Sequence, residues 1–155
     1  MKHYLLSVFF IVTLAACGPK VIFDEHKDIS TPWKYQDAIQ YNYEIVDTSL
    51  AYDLSLIVKH AIDFSYENLY IKTTTTFPDG KMVLNPVSLQ LSDPSGNWIG
   101  DCNSQSCKTN IEIFSGAHFK NAGKYGLSIE QFSRDEQLSG IQGFQLKITE
   151  HQSQH

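Results

Sequence analysis

From Ile39 to Ile148 apolar and polar side chains alternate with a period of two. Ile39, Tyr41, Tyr43 and Ile45 are interleaved with Gln40, Asn42 and Glu44, and Tyr52, Leu54, Leu56 and Val58 with Asp53, Ser55 and Lys59. Leu69-Ile71-Thr73-Thr75-Phe77 and Val87-Leu89-Leu91 follow, and after Trp98 come Ile111-Ile113, Tyr125-Leu127-Ile129 and Phe144-Leu146-Ile148. Successive side chains of an extended chain point to opposite faces, so the pattern predicts about eight strands, each buried on one side. The Thr73 to Thr76 run suits extended backbone because threonine branches at Cβ. Pro78-Asp79-Gly80 and Asp93-Pro94-Ser95-Gly96-Asn97 supply turn residues between strands. Helical spacing is confined to a single turn around Arg134 to Leu138. Closely spaced strands without intervening helices predict one all-β domain over residues 33–150, an antiparallel β-sandwich or jelly roll.

The chain opens on a different pattern. After Met1, Lys2 and His3, an almost unbroken apolar run extends from Tyr4 to Leu14 and closes on Leu14-Ala15-Ala16-Cys17. About eleven apolar residues make a signal h-region and fall short of the roughly 20 that span a bilayer. Small residues followed directly by cysteine mark a lipoprotein processing site, where the Cys17 thiol takes the lipid. Residues 1–16 are therefore expected to be a lipoprotein signal peptide, 17–32 the lipidated cysteine and a tether, and 151–155 a polar tail. Cleavage leaves about 139 residues, enough for one well-buried core.

Charge narrows the partners. Without Lys2, 11 of the 12 Lys and Arg residues remain against 17 Asp and Glu. The cations are scattered singly, so the clustered positive charge that nucleic acid requires is missing. Contact with a membrane is expected through the N-terminal lipid instead.

Of the three cysteines, Cys17 is assigned to the lipid, which leaves Cys102 and Cys107 as a pair outside the reducing cytoplasm. An even pair there points to a disulfide closing a small loop. No second cysteine pair or close histidine completes a metal site, so neither metal nor cofactor is expected.

Catalytic signals are weak. There is no Gly-x-Ser-x-Gly elbow, and Ser55 and Ser65 are near His60 only in sequence. His60 is in phase with Tyr52, Leu54, Leu56 and Val58, which predicts an inward-facing histidine at a strand end. Asp93 reads as a turn former, since no Asp-x-Asp-x-Asp loop supports calcium. Trp33 and Trp98 are candidate glycan-stacking platforms if their rings are exposed, and core residues if they are not.

Several segments in order carry a family resemblance: Tyr52-Asp53-Leu54 leading to Val58-Lys59-His60, Tyr66-Glu67-Asn68-Leu69-Tyr70, Phe77-Pro78-Asp79-Gly80 and Gly96-Asn97-Trp98-Ile99-Gly100. Ala122-Gly123-Lys124-Tyr125, Gln131 and Leu138-Ser139-Gly140-Ile141-Gln142-Gly143 complete the series. Together, behind the leader, they resemble the gliding-motility lipoprotein GldH family of Bacteroidetes, from Trp33 to Ile148. Lys59 stands where an arginine of an Arg-His pair is expected, and the Cys102–Cys107 loop looks like a local elaboration. The resemblance implies no catalytic residues. It implies a non-enzymatic envelope component whose partners are other proteins of the gliding-motility and type IX secretion machinery. Gly18 after Cys17, in place of aspartate, and the displaced Asp24-Glu25 favour the periplasmic face of the outer membrane. The rival reading is a glycan-binding lipoprotein with a sandwich-type carbohydrate-binding module.

Overall fold

The computed structural model describes residues 18–152. The leader and Cys17 lie outside the described residues, as does His155. In chain order the described strands are β1 (Val21–Asp28), β2 (Trp33–Lys34), β3 (Ile39–Ile45), β4 (Tyr52–Ala61), β5 (Asn68–Thr76) and β6 (Met82–Gln90). They continue with β7 (Asp101–Cys102), β8 (Ser106–Ala117), β9 (Gly123–Gln131), β10 (Gln137–Leu138) and β11 (Ile141–Glu150). One five-stranded sheet runs β1-β11-β4-β8-β7, a four-stranded sheet runs β3-β9-β5-β6, and β2 pairs with β10. Every pairing is antiparallel, and the described residues contain no helix. The expected all-β, sandwich-like architecture is what forms.

The period-two pattern works as its physics demands. Along β4 the inward row Tyr52, Leu54, Leu56, Val58 and His60 is buried. The other sheet's inner row adds Tyr41, Ile71, Leu89 and Ile129 to the same core. A fully buried aliphatic or aromatic side chain stabilises by about 1.5–3 kcal/mol, so these interleaved rows outweigh any turn contact. Tyr41 enters this layer without an unpaired hydroxyl, because its O–H donates to the Phe144 carbonyl at 2.9 Å. Burial then pushes the phenol's pKa far above its usual value.

Two expectations change. The segment expected as a tether is largely β1, paired along β11 from Val21↔Thr149 to Asp28↔Gly143. It was hidden because it is an edge strand rich in charge, a composition that blunts edges. Phe23 nevertheless packs on Tyr41 and Tyr43 at 6.3 and 5.8 Å between ring centroids. The turn around Arg134 to Leu138 is not helical. Gln131 is buried there and donates through Nε2 to the carbonyls of Asp135 (2.9 Å) and Glu136 (3.2 Å). Its Oε1 accepts from the Ser133 N–H and hydroxyl, so the side chain replaces the helical ladder.

The sandwich has two distinguishable ends. At the entry end, where the chain joins the domain, Val21 pairs with Thr149, Glu150 with Tyr52, and Tyr52 with Ala117. The Glu150 N–H donates to the Lys20 carbonyl at 2.9 Å, which fixes the chain one residue before β1. At the far end β4 finishes at Ala61, whose N–H donates to the Gly140 carbonyl at 2.7 Å.

Candidate functional site

At the far end His60 is fully buried. Its Nδ1 faces the Ala61 carbonyl at 2.9 Å, so Nδ1 carries the proton and Nε2 is a bare lone pair. Among the described residues, Nε2 and the Ser92 hydroxyl are the buried side-chain atoms without a partner. Trp98 crosses the imidazole edge-on at 4.6 Å and Phe64 lies at 5.8 Å. Burial depresses the imidazole's pKa, only partly offset by the Ala61 carbonyl. Gly100 seals this corner. At φ 120° a Cβ there would stand 2.2 Å from the Lys108 carbonyl oxygen, so only glycine lets the strands meet.

Next to this corner the surface is aromatic. Tyr35, Tyr66, Tyr70 and Phe132 are exposed, Phe132 by 57%. They form one neighbourhood: the Phe132 N–H donates to the Tyr70 carbonyl at 2.9 Å and the Tyr35 hydroxyl to the Ser133 carbonyl at 3.0 Å. The Tyr66 hydroxyl donates to Asp135, and this bond raises the Tyr66 phenol's pKa. Exposed rings grouped like this mark interaction surfaces more often than scattered ones do.

The entry end holds a different feature. Phe119, in the β8–β9 loop, packs on Tyr52 at 5.5 Å and Tyr125 at 5.0 Å, and Tyr43 stacks on Tyr125 at 5.6 Å. Burial, and then neighbouring Tyr125, push the Tyr43 phenol up to about 12, so it is neutral at any physiological pH. Behind these rings a cleft of about 970 Å³ runs between the sheets, walled by Leu54, Leu56, Ile71, Ile113, Leu127 and Ile129. Asp79, Lys81, His118, Lys120 and Asn121 form its exposed rim. On the outer face of the same end, Asp53 accepts from His151 Nδ1 (2.7 Å), the Gly116 N–H (2.9 Å) and the Ser115 hydroxyl (3.2 Å). Burial works against its charge, yet these donors hold the carboxyl below its usual range.

Set against these sites, the sequence-predicted residues fall as follows. Cys102 and Cys107 are disulfide-bonded across the β7–β8 hairpin, opposite each other in register. Cys17 lies outside the described residues. Trp33 is corrected as a glycan platform: it is fully buried against Phe144 at 5.4 Å, its indole N–H donating to the Asp37 carbonyl. Trp98 is half-buried between His60 and Phe64, its N–H donating to the Ile62 carbonyl at 2.9 Å. Neither is the free ring that stacking on a sugar requires. His151, expected in a polar tail, is tied to Asp53 and through its N–H to the Ala51 carbonyl. Asp93 organises its turn, accepting from the Ser95 and Asn97 N–H groups. The cleft and the aromatic patch were not foreseen, because each is assembled from elements distant in sequence. Among the described residues no three His, Cys, Asp or Glu side chains group as metal ligands would.

The family model described as GldH lipoprotein matches residues 21–148, from the first residue of β1 into β11. The chain belongs to this family. Within it, the gliding motility lipoprotein GldH homolog of Christiangramia forsetii is 26% identical over 88% of this chain and 85% of its own length. The gliding motility lipoprotein GldH of Flavobacterium johnsoniae is 21% identical over 94% of this chain and 91% of its own. Among solved structures, a family 35 carbohydrate binding module from Clostridium thermocellum is similar at a TM-score of 0.36 and 12% identity, covering 79% of this chain and 97% of that one. That likeness is too distant to bear on ligand choice. The GldH-like segments gather at the two ends. Trp98 and Gly100 meet His60 and Lys108 at the far end, and Gly123 meets Pro78 at the entry end.

Proposed function

We propose that the chain is a non-catalytic interaction subunit supporting gliding and the associated type IX secretion machinery. The lipid on Cys17 holds it at the periplasmic face of the outer membrane, and its far end docks partner proteins. The observation that carries this is the exposed aromatic patch of Tyr35, Tyr66, Tyr70 and Phe132, at the end opposite the anchored one. Aromatic residues are enriched at protein interfaces because they combine a large apolar area with little rotamer entropy and, in tyrosine, a polar tip. Family membership directs the partners toward the motility apparatus. The histidine chemistry points away from catalysis: His60 is sealed and uncharged, and Lys59 lies on the opposite face of β4. A general base needs a substrate within hydrogen-bond reach.

The test is crosslinking and affinity capture from intact envelopes, read by mass spectrometry, with Tyr66→Ser, Tyr70→Ser and Phe132→Ser combined. The expected result is loss of specific partners from the variant at matched protein level and a similar thermal midpoint. Undiminished capture by a stably folded variant would overturn the docking assignment.

A further inference from the structure

We infer that the cleft at the entry end is a slot for one acyl chain of a phospholipid in the membrane to which the protein is tethered. This deepens the anchoring part of the proposed function and rests on it. The position of the cleft is the first ground. Lys20 is fixed to Glu150, and Glu150 pairs with Tyr52, whose ring packs on Phe119 in the cleft wall. Only Gly18, Pro19 and Lys20 separate Cys17 from β1, and at about 3.5 Å each they keep the β1 corner of this end within about 10 Å of the anchor, with β8 and the cleft three strands, roughly 15 Å, further along the same end. The surroundings are the second ground. Val21, Val46, Met82 and Phe114 are exposed apolar side chains at this end, Val46 by 80%.

The chemistry of the cleft selects the occupant. Its volume of about 970 Å³ is at the upper end of the roughly 300–1,000 Å³ typical of small-molecule sites, and its walls are aliphatic and aromatic. Lys81 and Lys120 on the rim, against the one carboxylate of Asp79, can pair with an anionic phosphate. The flank is open because β6 is an edge strand and β7 covers β8 only at Cys107 and Lys108. A partner strand fits this opening less well. Pro86 removes a backbone donor from β6, and such a strand relies on main-chain hydrogen bonds, whereas an acyl chain needs none.

The experiment uses the full lipidated protein in vesicles of phosphatidylethanolamine and phosphatidylglycerol with a trace of phosphatidylethanolamine carrying a diazirine at mid-chain. After illumination, flotation reads the anchor and mass spectrometry locates the adducts. The expected adducts fall in Ile71–Phe77 and Ile113–Phe119. Thr75→Trp, which fills the cleft, lowers their yield at least about tenfold while flotation and thermal midpoint hold. Val87→Trp serves the same purpose should the first variant fold poorly. Protein that floats with labelling only at Val46 or Met82, or none, overturns the slot and leaves the anchor standing. Protein that labels in the cleft yet does not float keeps the slot and overturns the anchor, and failure of both overturns both. A photoreactive residue at Val87 that joins a protein rather than a lipid in intact envelopes also overturns the slot.

Discussion

His60 shows how one buried side chain sets a pH dependence. Its neutral ring gives Nδ1–H to the Ala61 carbonyl, and no neighbour would accept from Nε2–H if a second proton bound there. The folded pKa is therefore depressed, chiefly by burial, below the unfolded value of about 6.5. Between those two values the unfolded chain binds a proton that the native state refuses, so stability rises with pH. The contribution is complete above about pH 6.5 and is lost as pH falls toward the folded pKa. His60→Phe should flatten the dependence of the thermal midpoint between about pH 7 and 5, with an offset of roughly 1 kcal/mol from the unpaired Ala61 carbonyl. Parallel curves for the two proteins would show that His60 does not titrate in this range. The inward direction of His60 was legible from alternation alone. Its Trp98 and Phe64 neighbours were not, because the Ser92–Trp98 bridge and the turn after β4 carry no periodic signal.

Strands that bury one face announce themselves in the sequence; β1 does not, and its cost on removal can be measured. A free tether tolerates substitution within about 0.5 kcal/mol. Phe23, by contrast, lies against Tyr41 and Tyr43, so Phe23→Ala should cost about 2 kcal/mol, below the 3–5 of a fully buried phenylalanine. Denaturant unfolding decides it, and a change under 0.5 kcal/mol would return β1 to the status of a tether. The legibility of the fold follows the same logic. β3, β4 and β9 repeat apolar residues at every second position, since both sheets need an inner face. β1 places Glu25 and Lys27 on the side toward β3, where Lys27 lies over the Tyr41 ring at 5.3 Å, and an edge strand can tolerate that. β7 is two residues long, and its hairpin with β8, also held by the Asn103 N–H donating to the Ser106 carbonyl, sets Cys102 opposite Cys107. Replacing both cysteines by serine should cost roughly 2 kcal/mol, the entropy of so small a loop, leaving the sheet order intact. Native-state alkylation before reduction should find neither thiol free.

For the whole molecule, the question is whether the proposed anchor at Cys17 and the fold are separable. Every fully buried core residue lies between Trp33 and Ile148, with Ile22, Phe23 and Ile29 of the β1 region packed against them, and the described chain before Val21 contributes the Lys20 carbonyl and its exposed pair with Glu150. Such a solvent-screened pair contributes little to stability. Cys17→Ser should therefore release the protein from membranes after high-salt and carbonate washing while leaving its unfolding free energy within about 0.5 kcal/mol. Retention of the variant after washing would place the anchor elsewhere. Inserting a Gly/Ser spacer of about 12 residues between Gly18 and Pro19 separates the two roles further, since such a chain spans roughly 19 Å on average. The spacer protein should stay membrane-bound and equally stable, because acyl chains hold it and the sheets are untouched. Its entry end, however, is no longer kept at the headgroups, and Val46, Met82 and Phe114 should lose their contact with lipid. Solvent quenching of a probe at Val46 measures this directly: it should rise in the spacer protein and stay low in the native one. Equal quenching in both would mean that the short link does not seat this end on the bilayer, leaving its exposed apolar side chains for a protein surface.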